Sequence, residues 1–320
     1  MKVTFWGVRG SLPSPLSPSE MRDRQKELLA AIRQGGIPTA RNEDRFLDDV
    51  SESAVLVGGN TSCVEVSCGD DRLIFDAGSG IRLLGCRLME NAFGQGEGLA
   101  RIFLSHTHWD HIQGLPFFDP LYVHGNRIEI YSGFTNISDR LEQQQRREYF
   151  PIPLHDLKAD ISFHTIVPEI PLDFADISDQ THHLRVIVHE LQHPGGAFGY
   201  RVECETGCVV YATDSDFTSN DIEDIKDNLD FFKDADVLIF DSHFSFKESI
   251  FRSEWGHASA ALGTRLAALA KVKKLVLFHH SPEYTDRMLK ELLHEAQMHK
   301  SGPFPHQIIL AREGLVLNSF

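Results

Sequence analysis

Four residues able to lend a lone pair to a metal ion stand within six positions: His106, His108, Asp110 and His111, in the run Ser105-His106-Thr107-His108-Trp109-Asp110-His111. The run follows directly on the apolar stretch Ile102-Phe103-Leu104, which reads as a strand. At strand spacing, residues two apart point to the same side, so His106 and His108 can grip one ion together. Asp110 and His111 stand where the chain must turn before Gly114, in place to face a second ion beside the first. Imidazole and carboxylate ligands suit two divalent transition-metal ions, Zn²⁺, Mn²⁺ or Fe. The rival reading is a chance cluster of polar loop residues. So many ligand types in so short a window after a strand weigh against it.

Such a cluster needs rigid elements behind it. Short β-rich runs bounded by Gly, Pro, Asn or Asp fall at residues 2–6, 63–67, 72–75, 101–104, 127–131, 184–188, 198–202, 208–211, 237–240, 274–278, 307–310 and 315–318. Helical periodicity falls at residues 20–33, 81–90, 138–149, 258–271 and 285–299. Strands outnumber helices, and the helices sit between groups of strands. The pattern predicts an α/β chain of two packed sheets with helices outside, a four-layer αββα arrangement. No repeat or low-complexity tract divides the chain, so one domain over residues 1–320 is expected. Residues 12–57 stand apart, a Ser/Pro-rich entry followed by one strongly charged helix. A surface insertion is the plainer reading of them, and a cap that limits substrate size is the sharper one.

Composition narrows the partners. Asp and Glu exceed Lys and Arg by 46 to 31, a net charge of −15, and the densest basic run is Arg146-Arg147. Such a surface repels nucleic-acid phosphates at long range, so a nucleic-acid partner is not expected, and a small ligand or a metal-screened phosphate is easier to accept. The N-terminus carries no apolar segment of the signal-peptide kind, and no run approaches the roughly 20 apolar residues of a membrane span. Cys63, Cys68, Cys86, Cys204 and Cys208 are odd in number and scattered, which fits reduced thiols in a cytoplasmic protein.

The cluster at 106–111 resembles the His-x-His-x-Asp-His motif of the metallo-β-lactamase superfamily. The remaining motifs of that family can be sought in order. Leu73-Ile74-Phe75-Asp76-Ala77-Gly78 resembles its first motif, Leu191-Gln192-His193-Pro194 supplies the next histidine, Val209-Val210-Tyr211-Ala212-Thr213-Asp214 a strand-end carboxylate, and Leu275-Val276-Leu277-Phe278-His279 the last histidine. The resemblance implies one ion on His106, His108, His193 and Asp214, and the other on Asp110, His111, His279 and the same Asp214. It also implies that Asp76 orders the ligand loop from behind rather than binding metal. Asp216 rivals Asp214 as the bridge, and His280 rivals His279; periodicity does not decide the second, because residues 275–278 are apolar on both faces. Homodimers are common in the family.

The branch must be argued from the site. Flavodiiron oxidoreductases carry Glu where His108 stands, and β-lactam-opening enzymes lack an aspartate bridge. Trp255-Gly256-His257-Ala258-Ser259 resembles a His-Ser-Thr segment of the phosphodiesterase branch, which holds tRNase Z and the bacterial cyclic-phosphate and cyclic-nucleotide phosphodiesterases. His257 is then the candidate proton donor to the leaving oxygen, with Asp110 and Asp214 fixing the nucleophile. Gly59-Asn60-Thr61-Ser62-Cys63 resembles an early turn of the small-substrate members, which makes Asn60 and Thr61 candidate substrate contacts, with His243 as a third. Where tRNase Z has His-Glu-Ala-Thr this chain reads Phe240-Asp241-Ser242-His243, and no Gly/Lys-rich arm appears in residues 112–192. The expectation is a phosphodiesterase that opens a small cyclic nucleotide of the 3′,5′-cyclic AMP or GMP type through a metal-bridging hydroxide. The alternatives are a tRNase Z-like RNA 3′-end endonuclease and a thioester or lactone hydrolase.

Overall fold

The computed structural model describes residues 1–43, 46, 57–175, 183–216, 222–252 and 255–318, without the side chains of 175, 183, 222–225 and 227. The described strands are β1 (Lys2–Gly7), β2 (Cys63–Cys68), β3 (Asp71–Phe75), β4 (Leu99–Phe103), β5 (Arg127–Ser132), β6 (Asp160–Thr165), β7 (Leu172–Ala175), β8 (His183–Leu191), β9 (Ala197–Cys204), β10 (Gly207–Ala212), β11 (Val237–Asp241), β12 (Lys274–Phe278), β13 (Gln307–Leu310) and β14 (Val316–Asn318). They form two seven-stranded sheets, in the orders β14-β1-β2-β3-β4-β5-β6 and β13-β12-β11-β10-β9-β8-β7.

Each sheet changes character halfway across. Strands β3 to β6 run parallel, as do β10 to β13, while the remaining pairings are antiparallel. Parallel neighbours need crossovers, which here carry α2 (Ile81–Leu88), α3 (Trp109–Ile112), α4 (Ile137–Gln144), α5 (Ile222–Phe232), α6 (Phe246–Phe251), α7 (Ala260–Leu269) and α8 (Asp286–Met298). α1 (Pro18–Gly35) lies between β1 and β2. In parallel sheets, functional loops gather at the carboxyl ends of the strands. The candidate ligands stand at those ends.

Between the sheets lies a core with an aromatic centre. Phe75 of β3 sits 5.5 Å from each of Phe103, Tyr200 and Tyr211, and Tyr211 sits 5.7 Å from Phe278. All five rings are buried, and burial of each stabilises the fold by about 1.5–3 kcal/mol. Phe75 immediately precedes Asp76 and Phe278 immediately precedes His279, so the best-packed residues anchor the site. A second apolar cluster joins Ile74, Ile102 and Ile130 to Ile81 and Leu84 of α2 and to Ile137 and Leu141 of α4, covering the outer face of the first sheet. The predicted αββα layering is the observed one.

Several elements differ from the sequence expectation. β6 was hidden because it is an edge strand without a fully buried residue, one face polar and the other carrying only Ile161 and Phe163, both half-buried. The helix expected at 138–149 stops at Gln144. α1 is capped as its sequence suggests, by Ser17 and Glu20 reciprocally with Pro18 in the first turn, but buries no residue. It is held from outside by an Arg24–Asp286 ion pair and lines a cavity of about 530 Å³ with Arg9 and Asp286. Residues 44–45 and 47–56 of the expected insertion lie outside the described residues. Among the described residues, no helix is long and apolar enough to cross a membrane.

Candidate metal centre

The strand ends bring seven of the expected residues together. After β4 the chain passes through Ser105 to His108, then turns into α3, whose single turn carries Asp110 and His111. His106 Nε2 lies 3.0 Å from His108 Nδ1, which lies 3.1 Å from Nε2 of His193, just beyond β8. Beside them, His279 Nε2 lies 3.2 Å from His111 Nε2 and 3.1 Å from Asp110 Oδ2. The two groups meet at Asp214, just beyond β10. Its Oδ1 is 3.8 Å from His106 and 3.9 Å from His193, and its Oδ2 is 3.1 Å from His111 and 3.3 Å from His279. Of the two candidate bridging carboxylates, Asp214 therefore faces both groups. His280 turns the other way, with Nε2 against Ala311 O at 3.0 Å.

Orientation comes from behind. Asp76 is fully buried and accepts from Ser105 N, Ser105 Oγ, Tyr211 Oη and His111 Nδ1, each at 2.7 Å. With Nδ1–H of His111 committed to Asp76, Nε2 is the atom left facing Asp110 and Asp214. His193 is set similarly by Nδ1–H donation to Gly256 O at 2.9 Å. Ser11 N donates to Asp110 Oδ2 at 2.7 Å. Gly10 is required for close approach, since a Cβ there would lie 2.4 Å from His279 Cε1. Asp76, Asp214 and His279 all sit at positive φ, 60°, 53° and 59°. Non-glycine residues in that region cost of order 1 kcal/mol or more, strain typical of functional strand ends.

Charge follows the same division. Burial holds the pKa values of His106, His108 and His193 below that of free histidine, so these imidazoles are neutral with lone pairs exposed to one another. Burial opposes ionisation of Asp110 and Asp214, yet the surrounding histidines hold both well below the usual carboxylate range. Burial likewise opposes a charge on His111, but Asp110, Asp214 and Asp76 push its pKa well above the ordinary value. Lone pairs and negative charge thus converge from every side. Divalent cations are the species that satisfy such an arrangement, so the residues fit a metal centre of the kind the family motif implies.

His257 lines the pocket at this centre, about 320 Å³ in volume. Its Nδ1 lies 2.9 Å from Asp241 Oδ2 and 3.7 Å from Asp214 Oδ1. Burial disfavours its protonation, but Asp241 and Asp214 outweigh that and raise its pKa to about 9. His243 stacks flat on His257 at 4.3 Å and places Nδ1 3.0 Å from His279 O, a buried prop between two site rings. Asp241 was missed from the sequence. The available signal was its position: like Asp76 and Asp214, it is a carboxylate ending an apolar strand. Asn60 and Thr61 lie away from the pocket lining: Asn60 bonds Glu313 and Ser79, and Thr61 bonds Ser79 and Gln113. Their side chains are occupied in pinning the turn before β2.

Residues 71–280 match the family model described as Beta-lactamase superfamily domain. Ribonuclease Z of Crocosphaera subtropica is 28% identical over 271 residues, covering 67% of this chain and 79% of that protein. Ribonuclease Z of Acaryochloris marina is 27% identical over 293 residues, covering 73% of this chain and 83% of that protein. Two solved structures share the fold: YhfI from Bacillus subtilis (TM-score 0.63, 19% identity, 99% and 98% of the two chains) and the short form of human tRNase Z (TM-score 0.61, 20% identity, 100% of both). These relatives correct two expectations. The two curated relatives are named Ribonuclease Z, which overturns the cyclic AMP or GMP type of substrate, and with it the exclusion of nucleic acid. The physical error lay in treating net charge as a local quantity. Surface charges are screened within about 8–10 Å at physiological salt, so a total of −15 does not set the potential inside one cation-binding pocket.

Proposed function

This chain belongs to the beta-lactamase superfamily, and on that premise we propose that it is a dinuclear metal-dependent phosphodiesterase that cuts RNA, in the manner of a ribonuclease Z. Two supports stand behind the reading. The curated relatives are ribonucleases Z, and the two donor groups in this chain meet at the carboxylate of Asp214. His106, His108 and His193 would hold one ion, Asp110, His111 and His279 the other, with Asp214 shared. When bound, divalent cations supply Lewis acidity at the phosphoryl oxygens and lower the pKa of water.

The rest of the chemistry falls to the chain itself. Asp110 is fixed by the Ser11 amide, and Asp214 is held at the junction of the groups, so neither carboxylate reorganises as charge develops on the phosphoryl group. His257 commits Nδ1–H to Asp241, which leaves Nε2 as the atom that delivers a proton to the leaving ribose oxygen. Asp241 is the positioning residue for that ring, and stacked His243 keeps it from rotating. The substrate approaches from the open side, where His108 and Trp109 are exposed. We assign residues 1–320 to one domain, with residues 12–57 as an insertion. All five cysteines are unpaired, which supports a reducing, cytoplasmic setting.

The deciding experiment incubates protein reloaded with Zn²⁺, Mn²⁺ or Fe²⁺ with a transfer-RNA precursor carrying a 3′ extension, with Asp110→Ala as control. Removal of the extension, abolished in the control, is expected. Intact RNA in the presence of protein with both sites filled would overturn the reading.

A further inference from the structure

One cation beside the pocket has no counter-charge among the described residues. Arg140 of α4 donates through Nη1 to Thr107 Oγ1 at 3.1 Å and through Nε to Asn136 Oδ1 at 3.0 Å, and its guanidinium lies 3.8 Å from the centre of the Phe134 ring. Its described partners are a hydroxyl, an amide and a ring; none is a carboxylate. Other buried or half-buried arginines of this acidic chain each sit against one: Arg9 with Asp286, Arg72 with Glu65, Arg101 with Glu129 and Arg201 with Glu203. Thr107, the residue that Arg140 reaches, stands between His106 and His108 and lines the metal pocket. Arg140 is thus held rigidly at the pocket edge with its positive charge unspent.

A second observation falls on the same edge. Trp109, between His108 and Asp110, lines the same pocket and is 78% exposed. An indole left in water by the core, beside ligands that are fixed in place, offers a flat apolar face at the mouth of the site. A planar guanidinium matches a phosphate, and an indole face matches a nucleobase.

We propose that Arg140 and Trp109 form the subsite for the nucleotide adjoining the scissile bond, Arg140 pairing with its phosphate and Trp109 stacking on its base. The assignment rests on the RNA-cleaving reading above and adds to it a requirement for a flanking, base-bearing nucleotide.

The test uses metal-loaded full-length protein, a transfer-RNA precursor with a single-stranded 3′ extension, and the same RNA made abasic at the nucleotides flanking the cut. Arg140→Gln is expected to raise KM roughly 10-fold with kcat within about 2-fold, and to flatten the slope of log kcat/KM against log salt by about 0.7, one phosphate contact on a single strand. Arg140→Lys should restore the salt slope while recovering KM only in part. Trp109→Ala should raise KM about 5- to 100-fold on intact RNA, the range of one lost base stack, with the effect vanishing on the abasic RNA and largely rescued by Trp109→Phe. Metal content and thermal midpoint of each variant report folding, and Arg140→Lys decides if Arg140→Gln loses metal. Wild-type KM and salt slope in the arginine variant, or equal losses on both RNAs in the tryptophan variant, overturn the subsite while leaving the RNA-cleaving reading intact. A wild-type protein that holds both ions and cuts neither RNA overturns that reading, and the subsite with it.

Discussion

His106, His108 and His193 make one donor group entirely of imidazoles, whereas Asp110, His111 and His279 make the other around a carboxylate. The first is neutral and opens to solvent at His108; the second is buried, backed by Asp76 and crowded with negative charge. They share Asp214, yet they attract a cation by different means. Lone-pair donation dominates in the first group. In the second, Coulomb attraction adds to it, and His111 carries a proton as counter-charge when no cation is there. The second group should therefore fill first and empty last.

The harshest way to break the comparison is to remove what the groups share. Asp214→Ala should cost both ions and lower turnover by roughly 10³-fold, on the scale of losing a principal charge-stabilising group. Elemental analysis of metal per chain, beside RNA cleavage, checks it; a variant that keeps both ions would remove Asp214 from the bridge. Next, Asp76→Asn should weaken chiefly the carboxylate-bearing group, by about 10- to 100-fold, because it bonds His111 directly but reaches the other group only through Ser105 and His106. Titration with a metal indicator should then show one tight and one weakened site.

Proton release sharpens the contrast without mutation. The pKa of His111 is raised, so at neutral pH filling its group expels a proton and affinity climbs with pH until His111 titrates unaided. Depressed pKa values in the other group mean its histidines are already neutral, and its affinity should stay flat across the same window. Calorimetry in buffers of differing ionisation enthalpy should find about one proton for the first ion and none for the second. Equal release in both steps would erase the distinction. The smallest effect belongs to His280→Asn: it points away from both groups, so metal stoichiometry should hold, with a loss of only about 1 kcal/mol in chemical denaturation from its bond to Ala311.

Part of this was legible from spacing: histidines two apart after an apolar strand announce one group. His193, Asp214 and His279 came only from following the family's motifs in order along the chain. Two limits were physical. The apolar run before His279 is buried on both faces, so alternation could not choose between His279 and His280; the choice is made by left-handed backbone at His279, which no pattern of hydrophobicity encodes. Asp241 escaped because its partner lies sixteen residues away across a crossover, and Phe240 before it drew attention instead. Net charge misled most, because it sums the surface and is silent about one pocket.

The left-handed backbone at Asp214 and His279 carries a consequence for any attempt to improve this molecule. Selection for thermal endurance in metal-free medium would reward glycine or asparagine at both positions, residues that tolerate such a conformation with less strain. The survivors would be sturdier and inert. For this chain, then, durability and competence pull in opposite directions at two identifiable codons, and a stabilising programme has to hold them fixed.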